Sequence, residues 1–170
     1  MTPRGKLTVW MGAGSVAALL TLTATREGTV LHAYRDPVGI LTACTGETHY
    51  VSAQGDIVPG ATFTPDQCAD ALLRSLWAHA EPVIRCTQGA ELTPGMKIAF
   101  TDFSYNAGGD TFCKSSMARR AVAGDRRGAC DAILLYRFAG GRDCSVRSSN
   151  CYGVWSRRQE QHKVCMEGLA

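Results

Sequence analysis

Eight cysteines constrain this 170-residue chain more than any other feature of its sequence. No two of them form a C-x-x-C pair, and the four histidines are scattered. Zinc sites built on cysteine usually contain such a short pair, so the spacing predicts no metal site. An even cysteine count instead indicates an oxidising compartment and up to four disulfides. Cys144 and Cys151 flank a polar stretch and could close a short loop, whereas the residues alone leave the other pairings open.

The composition fits one globular domain. Hydrophobic residues make up 45% and charged residues 19% of the chain, which argues against disorder. The net charge is only +3, but eleven lysines and arginines lie between positions 114 and 163. A basic region of this kind is either an ordinary solvated surface or a contact for anionic lipid, nucleic acid or an anionic cell-wall polymer.

Disulfides imply that the protein leaves the cytoplasm, and the N-terminus contains a segment that could direct this export. Arg4 and Lys6 precede an uncharged run, Leu7 to Thr25, which as one helix spans roughly 28 Å, close to the thickness of a bilayer core. The positive flank predicts an orientation with the N-terminus inside the cell.

Three interpretations of this run compete. A cleaved signal peptide needs a small-x-small site, and residues 21–25 offer only a poor one. A core helix of a soluble protein conflicts with the disulfide argument. Because glycine, serine and threonine make the run only weakly apolar, we favour an uncleaved membrane anchor that can later leave the bilayer. The expected organisation is an anchor segment over residues 1–25 and a folded domain over residues 26–170.

The rest of the chain reads as a small sheet followed by helices. Between residues 30 and 60, turn residues separate short strand-like pieces at Ile40 to Cys44 and Thr48 to Ser52. Thr64-Pro65 and Thr93-Pro94 are typical helix starts, and apolar residues at helical spacing follow each. Further helices are predicted over residues 116–123, 127–138 and 156–167. This is an α+β chain with two lobes, and a cleft between lobes is a natural substrate site.

Three residues near the start of the predicted domain are candidates for chemistry. Glu27 is followed by Asp36 nine positions later and by Thr42 six positions after that. Cleavage of a glycosidic bond needs an acid on the leaving oxygen and a second carboxylate, or a positioned water, near the anomeric carbon. By spacing alone, however, these residues read more simply as ordinary solvated side chains.

The surrounding motifs favour the chemical interpretation. Glu27-Gly28, then Tyr34 through Gly46, resemble the signature of the phage-type lysozymes, glycoside hydrolase family 24. The stretch Phe103-Ser104-Tyr105-Asn106-Ala107-Gly108 is similar to that family's F-x-Y/F-N-x-G motif, and residues 153–165 are similar to its G-L-x-x-R-R-x-x-E-x-x-x-C end. The resemblance covers roughly residues 26–168 and is closest to the signal-anchor-release endolysins of phages that infect Gram-negative bacteria.

This resemblance implies a fold and an activity. The fold would be lysozyme-like, with a small antiparallel sheet lobe and a helical lobe joined by a long helix. The activity would be hydrolysis of the β-1,4 bond between N-acetylmuramic acid and N-acetylglucosamine in peptidoglycan. Glu27 would be the general acid, partly buried so that it stays protonated, while Asp36 and Thr42 position a water for an inverting reaction. Asn106 and Glu47 are candidate substrate-binding residues, and no cofactor is expected.

The chain also departs from the family pattern. Glu47 stands where many relatives have the His of a G-H-T sequence, which affects the expected packing of the cleft and not its acid pair. Cys144 and Cys151 lie in an apparent insertion, and Cys86 and Cys113 look additional. Parity and helix order then favour four pairings: Cys44 with Cys68, Cys86 with Cys113, Cys130 with Cys165, and Cys144 with Cys151.

The anchor leads to a hypothesis about control. If residues 7–25 span the inner membrane, Glu27 lies at the outer headgroup surface and cannot join Asp36 and Thr42, so the tethered enzyme should be inactive. On release into the periplasm, the segment should pack on the domain as a helix or strand and bring Glu27 into place. We expect a monomer that binds peptidoglycan and no nucleic acid. Two alternatives are a lytic transglycosylase that uses Glu27 alone and a non-enzymatic cell-wall binder.

Overall fold

The computed structural model describes residues 1–48 and 57–169. Within them the chain forms two compact units, residues 1–78 and 79–170. The predicted strand piece Thr48 to Ser52 falls almost entirely outside the described residues. The helices and strands in chain order are α1 (Pro3–Met11), α2 (Ala13–Glu27), β1 (Val30–Arg35), β2 (Leu41–Cys44), α3 (Pro65–Cys86), α4 (Pro94–Ala107), α5 (Gly109–Cys113), α6 (Ser116–Val122), α7 (Arg126–Asp131), β3 (Phe138–Ala139), β4 (Arg142–Asp143) and α8 (Tyr152–Glu167).

The first unit begins with the weakly apolar segment, which forms two helices. Thr2 caps α1 by accepting a hydrogen bond from the backbone N–H of Gly5, and α1 ends at Gly12. Each helix buries one face: Leu7 and Met11 from α1, and Val16 and Leu19 from α2, are at most 5% exposed. The segment therefore packs within the first unit as two helices. Among the described residues no single helix is long and apolar enough to cross a membrane, although α1 and α2 taken together pass on length and composition.

A two-stranded antiparallel sheet follows these helices. Tyr34 of β1 pairs with Thr42 of β2 and Val30 pairs with Cys44, so β1 carries a bulge between Val30 and Tyr34. A bulge bends a strand and increases its local twist. The backbone of residues 61–63 hydrogen-bonds to the other edge of β1, so β1 is paired on both sides.

Helix α3 starts where the Thr64-Pro65 signal predicts and runs from the first unit into the second. Thr64 and Gln67 cap each other reciprocally at its start, at 2.8 and 3.2 Å, an arrangement that satisfies two free backbone donors. In the first unit its buried residues Cys68 and Ala71 pack with Ala43, Cys44 and Ile57. The predicted long helix between the two parts of the chain is confirmed.

The second unit is a helical bundle around aromatic side chains. Phe100 of α4 lies 5.3 Å from Phe112, and Phe103 lies 5.1 Å from Tyr136, between ring centroids. All three phenylalanines are fully buried. Helices α4 and α6 agree closely with the sequence prediction. Helix α7 ends at Asp131, a 3-10 turn follows, and Phe138 belongs to a short β3–β4 hairpin that the helical period did not predict.

All eight cysteines are paired, and the four predicted pairings are confirmed. The disulfides are Cys44–Cys68, Cys86–Cys113, Cys130–Cys165 and Cys144–Cys151. The first lies within the first unit and the other three lie within the second. The shortest loop, between Cys144 and Cys151, contains the predicted insertion and its 3-10 turn.

Candidate active site

Asp36 lies at the turn between β1 and β2, where backbone groups fix its side chain. Its Oδ1 accepts hydrogen bonds from the backbone N–H groups of Val38, at 3.0 Å, and Ile40, at 2.8 Å. Gly39 has φ of +86°, which glycine adopts without steric cost, and its N–H donates to the Asp36 carbonyl. The Arg35 guanidinium also donates to the Gly39 carbonyl, at 2.7 Å. The carboxylate is therefore held in one orientation by its own turn.

Thr42 lies in β2 beside this turn and is 4% exposed. Its hydroxyl donates to the Ile40 carbonyl at 3.0 Å, and the same carbonyl accepts the backbone N–H of Asp36 at 2.9 Å. The hydroxyl and the turn of Asp36 thus share one acceptor. The structure places these two predicted site residues together at one end of the β1–β2 sheet.

Glu27 is the last residue of α2, and the chain turns at Gly28 before entering β1. The expectation that Glu27 is partly buried is wrong, because residues 25–29 are all exposed where the helix ends. Its position nevertheless follows from the N-terminal segment, since α2 is built almost entirely from that segment. The candidate acid is therefore carried by a different element from the one that carries Asp36 and Thr42.

Glu47 lies on the turn that follows β2, where its backbone pairs with that of Ala43. Its side chain is partly buried, and its buried Oε1 has no hydrogen-bond partner within residues 1–48 and 57–169. Burial raises the pKa of Glu47 to about 7, and the nearby Arg74 of α3 only partly opposes this rise. A carboxyl group with this pKa is partly protonated at neutral pH. The sequence shows only that Glu47 stands where many relatives have a histidine, and this does not reveal the raised pKa.

Asn106 belongs to the second unit, near the end of α4. Its Oδ1 accepts a hydrogen bond from Arg158 at 2.7 Å. Arg158 also donates to Gln161 at 2.7 Å and to the Tyr136 carbonyl at 3.1 Å, and its guanidinium lies 4.6 Å from the Phe103 ring centroid. Burial and the neighbouring Arg157 lower the pKa of Arg158 to about 10. Asn106 is thus oriented by a buried arginine.

Sequence reasoning missed two of these supporting features. Arg35 directly precedes the Asp-Pro-x-Gly turn, and Arg157-Arg158 lie on the buried face of α8. A pair of adjacent arginines in a helix that must pack on a core is a usable signal for a buried ion pair. Within the described parts of the chain, no group of histidine, cysteine or acidic residues could hold a metal ion.

The relatives identify the lineage. The family model described as phage lysozyme matches residues 24–161, which is most of the chain. The chain belongs to the phage lysozyme family. It is therefore a lysozyme-type glycoside hydrolase. It is 36% identical over 148 residues to the SAR-endolysin of Escherichia phage 933W, covering 85% of this chain and 80% of the relative. It is 38% identical over 149 residues to the SAR-endolysin of Enterobacteria phage H19B, with the same coverage.

Solved structures agree on the phage lysozyme fold. A point mutant of P22 lysozyme superposes with a TM-score of 0.74 at 24% identity, covering 88% of this chain and 96% of that one. The active form of the P1 phage endolysin Lyz superposes with a TM-score of 0.74 at 22% identity, covering 100% of this chain and 96% of that one. The predicted α+β lysozyme-like architecture is confirmed.

Proposed function

We propose that this phage lysozyme hydrolyses the β-1,4 bond between N-acetylmuramic acid and N-acetylglucosamine in peptidoglycan. Glu27 donates the proton to the leaving oxygen. Asp36 stabilises the oxocarbenium-like transition state and, with Thr42, positions the water that attacks from the opposite face of the sugar. The observation that carries this proposal is the Asp36–Thr42 turn. The Ile40 carbonyl there accepts both the backbone N–H of Asp36 and the hydroxyl of Thr42, while the Ile40 N–H donates to the Asp36 carboxylate.

The products of the purified chain test this reaction. Isolated glycan strands should yield a reducing muramic acid end, formed initially as the α anomer because the proposed reaction inverts the configuration. A 1,6-anhydro end would show a lytic transglycosylase. Binding without cleavage would show a cell-wall binder.

Variants test the residue roles. Glu27→Gln and Asp36→Asn should each lower kcat by at least about a hundredfold, since the first removes the proton donor and the second removes the stabilising charge. The matched control is Glu167→Gln, which changes an exposed carboxylate at the end of α8. Retention of full activity in either site variant would contradict the assignment of that residue.

We further propose that the enzyme first spans the inner membrane through residues 7–25 and is inactive there, then acts in the periplasm after release. The position of Glu27 at the end of α2 supports this, because a spanning segment would separate the acid from the Asp36–Thr42 turn. Membrane and soluble fractions of expressing cells should be assayed on soluble glycan fragments, with activity expressed per mole of chain. Activity confined to the soluble fraction is expected, and equal activity in both fractions would refute the tethering proposal.

A further inference from the structure

The N-terminal segment contains one sharp bend. Helices α1 and α2 meet at an angle of 114°, with Gly12 between them. The Gly12 N–H donates to the Thr8 carbonyl at 2.9 Å, and the Gly12 carbonyl accepts the N–H of Val16 at 3.1 Å. Gly12 thus ends the first helix through its N–H and begins the second through its carbonyl.

The backbone of Gly12 adopts a conformation that only glycine reaches at low cost. Its φ is +86° and its ψ is 152°, a region in which a Cβ atom collides with the residue's own backbone. A Cβ built on Gly12 meets nothing else within 4 Å. The penalty for a side chain here therefore comes from the backbone of this one residue and not from packing against neighbours.

The bend allows both helices to pack on the same unit. From α1, Leu7 is fully buried and the Lys6 ammonium lies 5.0 Å from the centroid of the Trp77 ring on α3. From α2, Leu19 is fully buried, and Leu20 and Ala24 line an apolar pocket together with residues of α3. A straight helix through Gly12 would direct α1 away from α3. The docked segment, which ends at Glu27, therefore depends on the bend.

The combined length and composition of α1 and α2 relate the bend to the proposed membrane-spanning form. Neither helix alone could cross a bilayer, but the pair passes as one span broken at this point. A spanning helix needs ordinary helical dihedrals at Gly12, because the bilayer core offers no water for free backbone groups. The two forms of the segment therefore require opposite signs of φ at a single residue.

We propose that Gly12 is the hinge at which the segment converts between a straight membrane-spanning helix and the bent, docked form, and is thereby a positioning residue for Glu27. This inference rests on the proposed tethering and release. An L-alanine at position 12 stabilises the straight helix and penalises the bend, so both effects favour the membrane form. Together they should shift the equilibrium by roughly 30-fold or more.

Gly14 supplies a matched control. It lies in the first turn of α2, and a Cβ built there also meets nothing within 4 Å. Gly14 is helical in the docked form and would be helical in a spanning helix, so Gly14→Ala adds the same methyl group with little change in the equilibrium. In cells, the released fraction of Gly12→Ala should fall roughly 30-fold, while that of Gly14→Ala stays within about twofold of wild type.

A chain with D-alanine at position 12 provides the opposite perturbation. Ligation of a synthetic 1–43 segment to the chain that begins at Cys44 would give the full-length protein. A D-residue favours positive φ, so D-alanine should keep kcat and the hydrogen-exchange protection of Leu7 and Leu19, whereas L-alanine should lower both and leave KM for glycan fragments nearly unchanged. Equal behaviour of the two stereoisomers, or normal release of Gly12→Ala, would overturn the hinge.

The outcomes separate the hinge from the proposed function. If wild type partitions between membrane and soluble fractions and the stereoisomers differ, but no glycan is cleaved, the hinge stands and the proposed activity fails. If wild type cleaves glycan but never enters the membrane fraction, the activity stands, and both the tethering and the hinge are refuted.

Discussion

Different interactions stabilise the interior of each of the two units of this phage lysozyme. The second unit contains three disulfides and a buried ion pair in which Arg157 contacts both carboxylate oxygens of Asp102, at 2.9 and 3.2 Å. The segment that ends at Glu27 in the first unit contains no cysteine and is attached by apolar packing and a cation–π contact. The candidate acid is thus carried by a segment that no disulfide links to the rest of the first unit.

The largest expected effect lies in the second unit. Asp102 is fully buried and also accepts a hydrogen bond from Gln161. Asp102→Asn leaves the Arg157 charge buried without its counterion, so the free energy of unfolding should fall by about 3–5 kcal/mol. Urea denaturation monitored by circular dichroism measures this change.

An exposed ion pair in the same unit provides the comparison. Glu91→Gln removes the carboxylate partner of Arg126. Because the Glu91 side chain is 88% exposed and that of Arg126 is 42% exposed, the loss should be at most about 1 kcal/mol. Equal losses in Asp102→Asn and Glu91→Gln would show that the buried pair does not hold the second unit together.

The next effect concerns the attachment of the segment. Leu19 is fully buried in α2, so Leu19→Ala should weaken docking by about 3 kcal/mol. The control is Val9→Ala, since Val9 of α1 is 77% exposed. Hydrogen exchange should show faster opening of α1 and α2 in Leu19→Ala, with the amides of α4 and α8 unaffected. Uniform loss of protection across both units would contradict the separate attachment.

The sequence predicted helices α3 and α4 and the disulfides better than it predicted the N-terminal segment. Caps at Thr64 and Thr93 and the apolar period after them located α3 and α4, because local chemistry decides where these helices begin. The four disulfides followed from parity and helix order. By contrast, no turn motif marks the bend at Gly12. A lone glycine within a helical pattern costs only about 1 kcal/mol and does not by itself predict a break, so packing on α3 selects the bent form.

The candidate site also has one part that the sequence predicts and one part that it does not. The Asp36–Thr42 turn could be predicted as a unit because an Asp-Pro-x-Gly sequence specifies its own hydrogen bonds. The burial of Glu27 was predicted wrongly from the role assigned to it. Exposure at a helix end depends on what covers that end, and neither spacing nor a motif contains this information.

A smaller effect links the first unit to pH. Because the pKa of Glu47 is raised from 4.5 to about 7, the folded state holds a proton that the unfolded state releases between these values. Stability from this group is therefore present at low pH and is lost as pH rises towards about 7. Glutamine mimics the protonated carboxyl, so Glu47→Gln should match wild type at pH 4.5 and be more stable at pH 8. After allowance for partial solvent screening, the gain at pH 8 should be about 1–2 kcal/mol.

The difference in the free energy of unfolding between wild type and Glu47→Gln separates the effect of Glu47 from that of other titrating groups. His79 in the second unit has a pKa lowered by burial, and its contribution to stability has the opposite pH dependence. It is the same in both proteins and cancels in the difference. A constant difference between pH 4.5 and pH 8 would mean that Glu47 is not buried in the folded first unit.

The smallest expected effect tests the contact at the far end of the segment. Lys6→Gln keeps a polar side chain but removes the charge over the Trp77 ring, and should weaken docking by about 0.5–1 kcal/mol. Arg4→Gln is the control, because it removes an equal charge from an exposed position on the same helix. Hydrogen exchange of the α1 amides measures the loss of docking. A larger loss in Arg4→Gln would mean that the positive flank is held by its net charge and not by the aromatic ring. A selective loss in Lys6→Gln would show that the contact between the Lys6 ammonium and the Trp77 ring fastens α1 to α3.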